Sequence, residues 1–491
     1  MPPTLEDHLR RITRNFTAPL PEADVLALGR DLARELARAH AESPARHPDV
    51  EPAAIALEGG KPRLEGGTAS GSVAEDLLEL GALIHSLAAG TPPDVSWRLD
   101  GPPPTEGSVL RRSLVEGLAS PRRERRFLGA EDAARAFEGA LQAETAAAHP
   151  WPLFRGDTAR RGVAAGAPKG VLSGLWEAAT GAVVSSPVLT ASLAISAAAD
   201  GRLVFVERTS GRIIHELRLG SAIESSPALH GHELHIGTDD GEYIAVDVAR
   251  GEVARRVRLG QVVRSSPLLA GEFAVVGAIE ANGAGALVAL QAGSGKLAWR
   301  LKLKAVFSSA ALAGDLVLAG SDDGALHAAD LAKGTLVWSH ALGAKVRATP
   351  AVSGDVAVVG DFAGRLVAVA LEDGARLWAV ELGAALYSSP CVAEGLAVVG
   401  ANDGRIHGVD LATGAVRFVV ETRGPVVASP VALGGRFVVG STDGDLYVID
   451  TQGVVVQKTT LAPSGVGSSP ALDGDLLVVG SSRGLHGLRL A

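Results

Sequence analysis

A short element, Ser-Ser-Pro or a close variant, begins at Ser185, Ser225, Ser265, Ser308, Ala348, Ser388, Ala428 and Ser468. The successive intervals are 40, 40, 43, 40, 40, 40 and 40 residues. Repetition at this period confines the chain to architectures in which one supersecondary unit stacks on the next, a propeller or a solenoid.

The copies share four parts. An apolar run follows Ser-Ser-Pro, as in "SSPALDG", and a very apolar run such as "LLVVG" or "VAVVG" comes after a short turn. A turn ending in Gly is next: Asp240-Gly241, Asp323-Gly324, Asp403-Gly404 or Asp443-Gly444. An alternating segment ("RIHGVDLA", "DLYVIDT") and a last run ("KLAWRLKL", "TLVWSHAL") complete the unit. Runs of four to eight residues rich in β-branched side chains and bounded by Gly and Asp are strands. Asp-Gly pairs close tight hairpins because Gly accepts positive φ. Four antiparallel strands per repeat make one propeller blade. The Ser-Ser-Pro strand is then the inner edge of its blade, where small residues fit the crowded axis and Pro removes no ladder hydrogen bond. Its serines are expected to be structural. The final copy supplies only three strands, whereas "GVLSGLWEAATG", with Trp176 matching Trp299, Trp338 and Trp378, is a solitary fourth. The expectation is a mainly β protein: an eight-bladed propeller whose last blade is closed by strands from both ends of the repeat array.

The net charge of -9 argues against a general binder of nucleic acid or anionic membrane. The single cysteine, Cys391, excludes an internal disulfide and a cysteine-based zinc site, and it reads as a small buried residue beside Pro390. The start, "MPPTLEDHLRRITRNF", lacks the apolar stretch of a secretory signal, and the apolar "LLELGALIHSLAAG" is too short to span a bilayer. The expectation is a cytoplasmic protein without membrane insertion.

The stretches "ALHAADLAKGTLVW" (Ala325 to Trp338), "RLVAVALEDGARLW" (Arg365 to Trp378) and "WPLFRGDTARRG" (Trp151 to Gly162) resemble the quinoprotein-like propeller family, the repeats of dehydrogenases that use pyrroloquinoline quinone. The resemblance spans residues 151 to 491. It implies the fold, while a propeller serves many tasks. The family's enzymes bind quinone and calcium, several with vicinal cysteines. One cysteine forbids such a pair, and no clustered Glu, Asn and Asp set is assignable to calcium, so no cofactor and no metal are expected. The family's non-enzymatic members, among them an outer-membrane assembly lipoprotein, fit better, although that protein's lipidated N-terminal cysteine is missing.

Residues 1 to 148 differ in character. Leu26, Leu28, Leu32 and Leu36 in "EADVLALGRDLARELARAHA" follow helical periodicity. Further helices fit "VAEDLLELGALIHSLAAG" and "AEDAARAFEGALQAE". The order of these segments resembles the C-terminal lobe of a bacterial Ser/Thr protein kinase. His47, Asp49 and Pro52 match the catalytic loop, Asp76, Leu80 and Gly81 match a later helix, and Arg126 and Phe127 match the final Arg-aromatic pair. Phosphoryl transfer needs a glycine-rich loop, a strand lysine with its helix glutamate, and two metal-binding side chains. Too few residues precede His47 for the first three. The loop's lysine position falls on Glu51, the metal-binding asparagine position on Ala54, and the metal-binding triplet on Glu65-Gly66-Gly67. The lobe is expected to be degenerate and to bind no nucleotide, with His47, Asp49 and Asp76 as capping and packing relics. The domain reading is 1–148 helical and kinase-lobe-like, 149–170 a linker or entry segment, and 171–491 propeller.

Function then falls to recognition. The residue before each Ser-Ser-Pro enters the innermost strand and belongs at the mouth of the central funnel. Around the ring it reads Val184, Glu224, Arg264, Phe307, Arg347, Tyr387, Val427 and Gly467. Glu224, Arg264, Phe307, Arg347 and Tyr387 are the candidate binding residues: a cationic, aromatic mouth for a carboxylate, a phosphate or an acidic peptide side chain. The alternative is that Arg264 and Glu224 pair across adjacent blades. The third repeat carries three extra residues in "IEANGAGAL" (Ile279 to Leu287), a loop suited to a partner contact. The reading is a non-catalytic scaffold for protein partners. A sensor of a small ligand or peptide is the alternative, and a quinone-dependent oxidoreductase fits the residues least.

Overall fold

The computed structural model describes residues 28–34, 36, 55–58, 61–64, 80, 151–164, 170–231, 233–248 and 251–490. In the early part, residues 28–34 and 36 are helical, and Leu32, Ala33 and Leu36 are buried on one stripe, as the leucine spacing predicts. Ile55–Glu58 pairs antiparallel with Lys61–Leu64, a hairpin that the sequence reading did not name. Leu80 is helical and buried. The other kinase-like positions, His47, Glu51, Pro52, Asp49, Ala54, Glu65 to Gly67, Asp76, Gly81, Arg126 and Phe127, lie outside the described residues. Among the described residues no helix is long and apolar enough to cross a membrane.

From Leu172 onward the repeats fold into eight four-stranded antiparallel sheets. Blade 1 runs from Val188 to Arg218, blade 2 from Ala228 to Arg258, blade 3 from Leu268 to Lys304 and blade 4 from Ala311 to Ala341. Blade 5 runs from Ala351 to Glu381, blade 6 from Cys391 to Glu421 and blade 7 from Val431 to Thr460. Blade 8 combines Ala471–Asp473, Leu476–Gly480 and Leu485–Leu490 with Leu172–Ala178, paired Leu172 to Leu490 and Ala178 to Leu485. The expected closure by both ends of the array is therefore what the chain does, and it leaves no unpaired gap in the ring.

Within a blade the short first strand sits at the sheet's inner edge, and the second strand is buried along nearly all its length. Aliphatic side chains of neighbouring blades interlock, as where Val358 and Leu366 meet Val392, Val399 and Val409. At the outer strands, Trp299, Trp338 and Trp378 donate their indole N–H to Leu331, Leu371 and Leu411 carbonyls of the next blade at 2.7, 2.8 and 2.7 Å. Trp176 does the same to Arg208 at 2.7 Å, carrying the pattern across the closing seam. Each indole lies under a turn glycine of that next blade. Gly334, at φ 67°, would place a Cβ 2.4 Å from the Trp299 ring. In blades 2 and 7, which lack the tryptophan, another donor stands in: Arg255 reaches Ala292 O at 2.8 Å, and the Gln457 amide both donates to and accepts from the Leu172 backbone at 2.7 Å.

The innermost strands are tied by one closed circuit. Ser186 N–H donates to Ser226 Oγ (2.8 Å), Ser226 to Ser266 (3.0 Å), Ser266 to Ser309 (2.9 Å) and Ser309 to Thr349 Oγ1 (3.2 Å). Thr349 donates to Ser389 (3.0 Å), Ser389 to Ser429 (3.0 Å), Ser429 to Ser469 (2.9 Å), and Ser469 returns to Ser186 (3.1 Å). The second position of every Ser-Ser-Pro element is thus the hydroxyl that joins one blade to the next. The first position makes a partial second tier: Ser225, Ser308 and Ser468 donate to the carbonyls of Ser265, Ala348 and Ser185.

Blade 2 carries a polar exception. His235 and Tyr243 occupy places held in blade 4 by Leu318 and Leu326, and Tyr243 Oη lies 2.5 Å from His235 Nδ1. Burial pushes His235 down to about 4.

Two measurements test this account. Ser226→Ala strands the Ser186 N–H in the core and is expected to lower the urea-unfolding free energy by about 1–3 kcal/mol. Ser265→Ala removes a buried hydroxyl without a hydrogen-bond partner, and its expected cost is below about 0.5 kcal/mol. The buried histidine also sets a pH dependence. As pH falls from the ordinary histidine value of 6.5 towards about 4, the unfolded ring takes up a proton that the folded ring refuses, so stability falls across that window. The double variant His235→Leu with Tyr243→Leu is expected to lose less stability than the parent between about pH 7 and 5.

Candidate functional site

The two ends of the propeller axis differ. At one end, Trp151 to Ala164 lies along the inner strands and closes it. Its carbonyls accept the N–H groups of six blades: Leu189 to Trp151 (2.9 Å), Leu229 to Pro152 (2.7 Å), Leu312 to Thr158 (2.8 Å), Val352 to Ala159 (2.9 Å), Val392 to Arg161 (3.2 Å) and Ala432 to Gly162 (2.7 Å). These donors sit at one repeated position on the inner edge, where no sheet partner exists.

Two arginines supply the opposite need. Arg155 donates to Ser389 O at 3.2 Å, Pro390 O at 2.7 Å and Arg160 O at 2.7 Å. Arg160 donates to Ala310 O at 3.0 Å and Pro267 O at 2.8 Å. Both side chains are fully buried, at 1% and 0% exposure, and both backbones are left-handed, at φ 65° and 57°. Non-glycine residues hold that conformation only where the surroundings enforce it. Desolvation lowers both guanidinium pKa values, Arg160's to about 9, which leaves it charged at neutral pH. Cys391 is buried beneath Arg155, donates to Gly162 O at 3.4 Å, and is pushed up to about 11 by its burial. It is the inert buried thiol that the sequence suggests. The sequence marks 149–170 as a linker or entry segment. The plug within it went unseen because arginine is ordinarily a surface residue.

The candidate residues surround the other end. Glu224 and Tyr387 are half-exposed, and Val184 is exposed. Arg264 is held by two carboxylates: Glu224 at 3.0 Å, and Asp239 in a fork at 3.1 and 2.8 Å. The inter-blade pair that was one of the two alternatives is therefore present. Arg347 forks onto Asp322 at 2.8 and 2.7 Å, and Lys345 lies 3.6 Å from the same carboxylate. The Arg347 guanidinium rests 3.9 Å from the Phe307 ring centroid and 5.1 Å from that of Phe362, and Phe362 meets Tyr387 at 4.3 Å. Structure thus joins Phe307, Arg347 and Tyr387 into one stack through Phe362, and sets Glu224 with Arg264 apart from it. The mouth is aromatic, as expected, and its cations are matched by Glu224, Asp239 and Asp322 instead of standing bare.

Asp239, Asp322, Lys345 and Phe362 are the residues that sequence reasoning missed. Burial, helped by the like charge of Asp239, raises the Glu224 carboxyl against the pull of Arg264. Burial pulls Arg264 down, and its bond to Asp239 and the charge of Glu224 outweigh that pull. Arg347 is raised chiefly by its bond to Asp322. The extra residues of blade 3 lengthen its hairpin, Phe273–Ile279 with Ala284–Gln291, at this same end, where Ile279 exchanges hydrogen bonds with Val262 ahead of Arg264.

The donor set does not fit a quinone with calcium. Among the described residues no three His, Cys, Asp or Glu side chains converge on a metal position. The mouth carboxylates are taken by Arg264, Arg347 and Lys345, and the only thiol is sealed under the plug.

An eight-bladed propeller of PQQ-type repeats, plugged at one end of its axis and carrying an ion-paired aromatic mouth at the other, is the class that fold and site define. The chain belongs to the PQQ-type repeat family described as outer membrane protein assembly factor BamB, which it matches over residues 160–305, 199–345, 258–391 and 363–491. Its fold is similar to that of BamB from Moraxella catarrhalis, with a TM-score of 0.57 and 21% identity over 65% of this chain and 98% of that one. It is similar to the computationally designed Ika8 protein, with a TM-score of 0.58 and 17% identity over 65% of this chain and 99% of that one. It is also similar to a quinohemoprotein alcohol dehydrogenase from Comamonas testosteroni, with a TM-score of 0.61 and 13% identity over 72% of this chain and 83% of that one. At these identities the likeness is one of fold. No curated protein matches the sequence.

The plug predicts a contrast between neighbouring arginines. Arg155→Ala leaves two inner-strand carbonyls, Ser389 O and Pro390 O, and the plug's Arg160 O without this donor, and it is expected to cost at least about 3 kcal/mol in urea unfolding. Arg161→Ala removes only an exposed pair with Asp157, and its expected cost is under about 1 kcal/mol.

Proposed function

We propose that the chain is a non-catalytic scaffold that binds a partner protein through the exposed mouth of its propeller. One observation carries this reading: the axis is sealed by the plug at one end, while the other displays a Phe307–Arg347–Phe362–Tyr387 stack with Tyr387 47% exposed. Aromatic residues and arginine in a shared, partly desolvated cluster are the composition of binding hot spots. Below the mouth the second-position serine and threonine hydroxyls are committed to the ring, so the site suits side chains pressed onto its rim. The membership in the BamB family agrees with a role in protein assembly. The degenerate kinase-like segment, within 1–148, serves in this reading as a second docking surface without nucleotide, and the whole acts in the cytoplasm.

The test is affinity capture from the native cell with wild-type bait and with Tyr387→Ala, the bait's fold being checked by circular dichroism. A partner recovered by the wild type and reduced about tenfold with Tyr387→Ala supports the mouth as the contact surface. Equal recovery by both baits overturns it. Thermal-shift measurements with magnesium-ATP are expected to show no stabilisation, and a clear shift would reinstate a nucleotide site.

A further inference from the structure

The charges at the mouth are not merely balanced; they are segregated. Over blades 2 and 3, Glu224 and Asp239 face the single cation Arg264, which leaves one net negative charge. Over blades 4 and 5, Arg347 and Lys345 face the single anion Asp322, which leaves one net positive charge. The two groups are close enough for the charge of Arg347 to bear on Arg264.

Each side also has spare hydrogen-bonding capacity. Arg347 uses Nε and Nη2 on Asp322, and among the described residues nothing accepts from its Nη1. Among the described residues the Tyr387 hydroxyl on the adjoining blade has no hydrogen-bond partner either, and the side chain is half in water. On the negative side the Glu224 side chain is half-exposed and shares a single contact with Arg264, at 3.0 Å. The remaining arc, over blades 7, 8 and 1, presents Val427, Gly467 and Val184, without charge, and Val184 is 46% exposed.

We infer that the mouth recognises a segment of a partner protein carrying a basic and an acidic side chain on either side of an apolar one. The basic group is received at Glu224 and Asp239, the acidic group at Arg347 Nη1, Lys345 and the Tyr387 hydroxyl, and the apolar side chain on the Val184–Gly467–Val427 arc. A ligand of one sign gains on one side of such a mouth and is repelled by the other, so opposed charges in the ligand are what the site selects. This inference rests on the mouth being the contact surface.

The experiment uses the full chain and short fluorescent peptides blocked at both ends, so that the termini add no charge. Peptides with Lys and Glu flanking Leu are compared, at varied spacing, with peptides carrying Lys alone or Glu alone. Binding is read by fluorescence anisotropy. The mixed peptides are expected to bind about fivefold or more tightly than either single-sign set, and added salt is expected to erase the difference. Glu224→Gln and Lys345→Gln change half-exposed side chains and leave the ring intact. Glu224→Gln is expected to remove the advantage over Glu-only peptides, and Lys345→Gln the advantage over Lys-only peptides. The inference is overturned if the mixed peptides show no advantage, if none of them binds, or if both variants keep the wild-type preference. Loss of all peptide binding in Tyr387→Ala without any mixed-charge advantage in the wild type removes this inference and leaves the mouth as the contact surface. Unchanged binding in Tyr387→Ala removes both.

Discussion

Eight hydroxyls hold the propeller together at its narrowest point. Each inner strand is the edge of its sheet, so its N–H groups face the axis without a ladder partner. A buried N–H without an acceptor costs more than most single contacts in the fold return. The second residue of each repeat element answers this by offering a hydroxyl to the blade before it. Because the last blade returns to the first, every donor finds an acceptor only when the circle closes. The requirement of a short side chain with an oxygen explains why Thr349 is tolerated there, whereas alanine appears at the first position of the element and not the second.

The plug meets the same requirement further along the axis. Its backbone carbonyls serve inner-strand donors, and its two arginines serve inner-strand acceptors. A guanidinium is suited to this because its several N–H groups fan out in one plane and reach carbonyls on different blades. The consequence is a division of labour between the ends. One is committed to cohesion, and the other keeps Tyr387 and Val184 exposed.

Much of this was legible in the chain because it is written eight times. The repeat period, the strand boundaries, the inner position of Ser-Ser-Pro and the closure signalled by Trp176 all follow from comparing copies. The mouth positions were legible for the same reason: Arg264, Phe307, Arg347 and Tyr387 vary where their neighbours do not. The partners of the two arginines were present in the repeats too. Asp239 and Asp322 occupy the second place of the turns "TDDG" and "SDDG", and the repeats following those two are the ones that place arginine before Ser-Ser-Pro. The plug was not legible, since it occurs once, has no copy to be compared with, and buries a residue type that composition assigns to the surface. The hairpin Ile55–Glu58 with Lys61–Leu64 is short and unrepeated, and it escaped for a similar reason.

The sharing of blade 8 between Leu172–Ala178 and the strands that end at Leu490 has a temporal meaning. A ribosome delivers the first of these strands some three hundred residues before its companions. Throughout that interval Leu172–Ala178 lacks the strand Leu485–Leu490 that it pairs with, and its unpaired edge is open to any other strand. The hydroxyl circuit cannot complete until the last repeat has left the exit tunnel. Seven blades can form in order of synthesis, but the circle is a property of the finished chain alone.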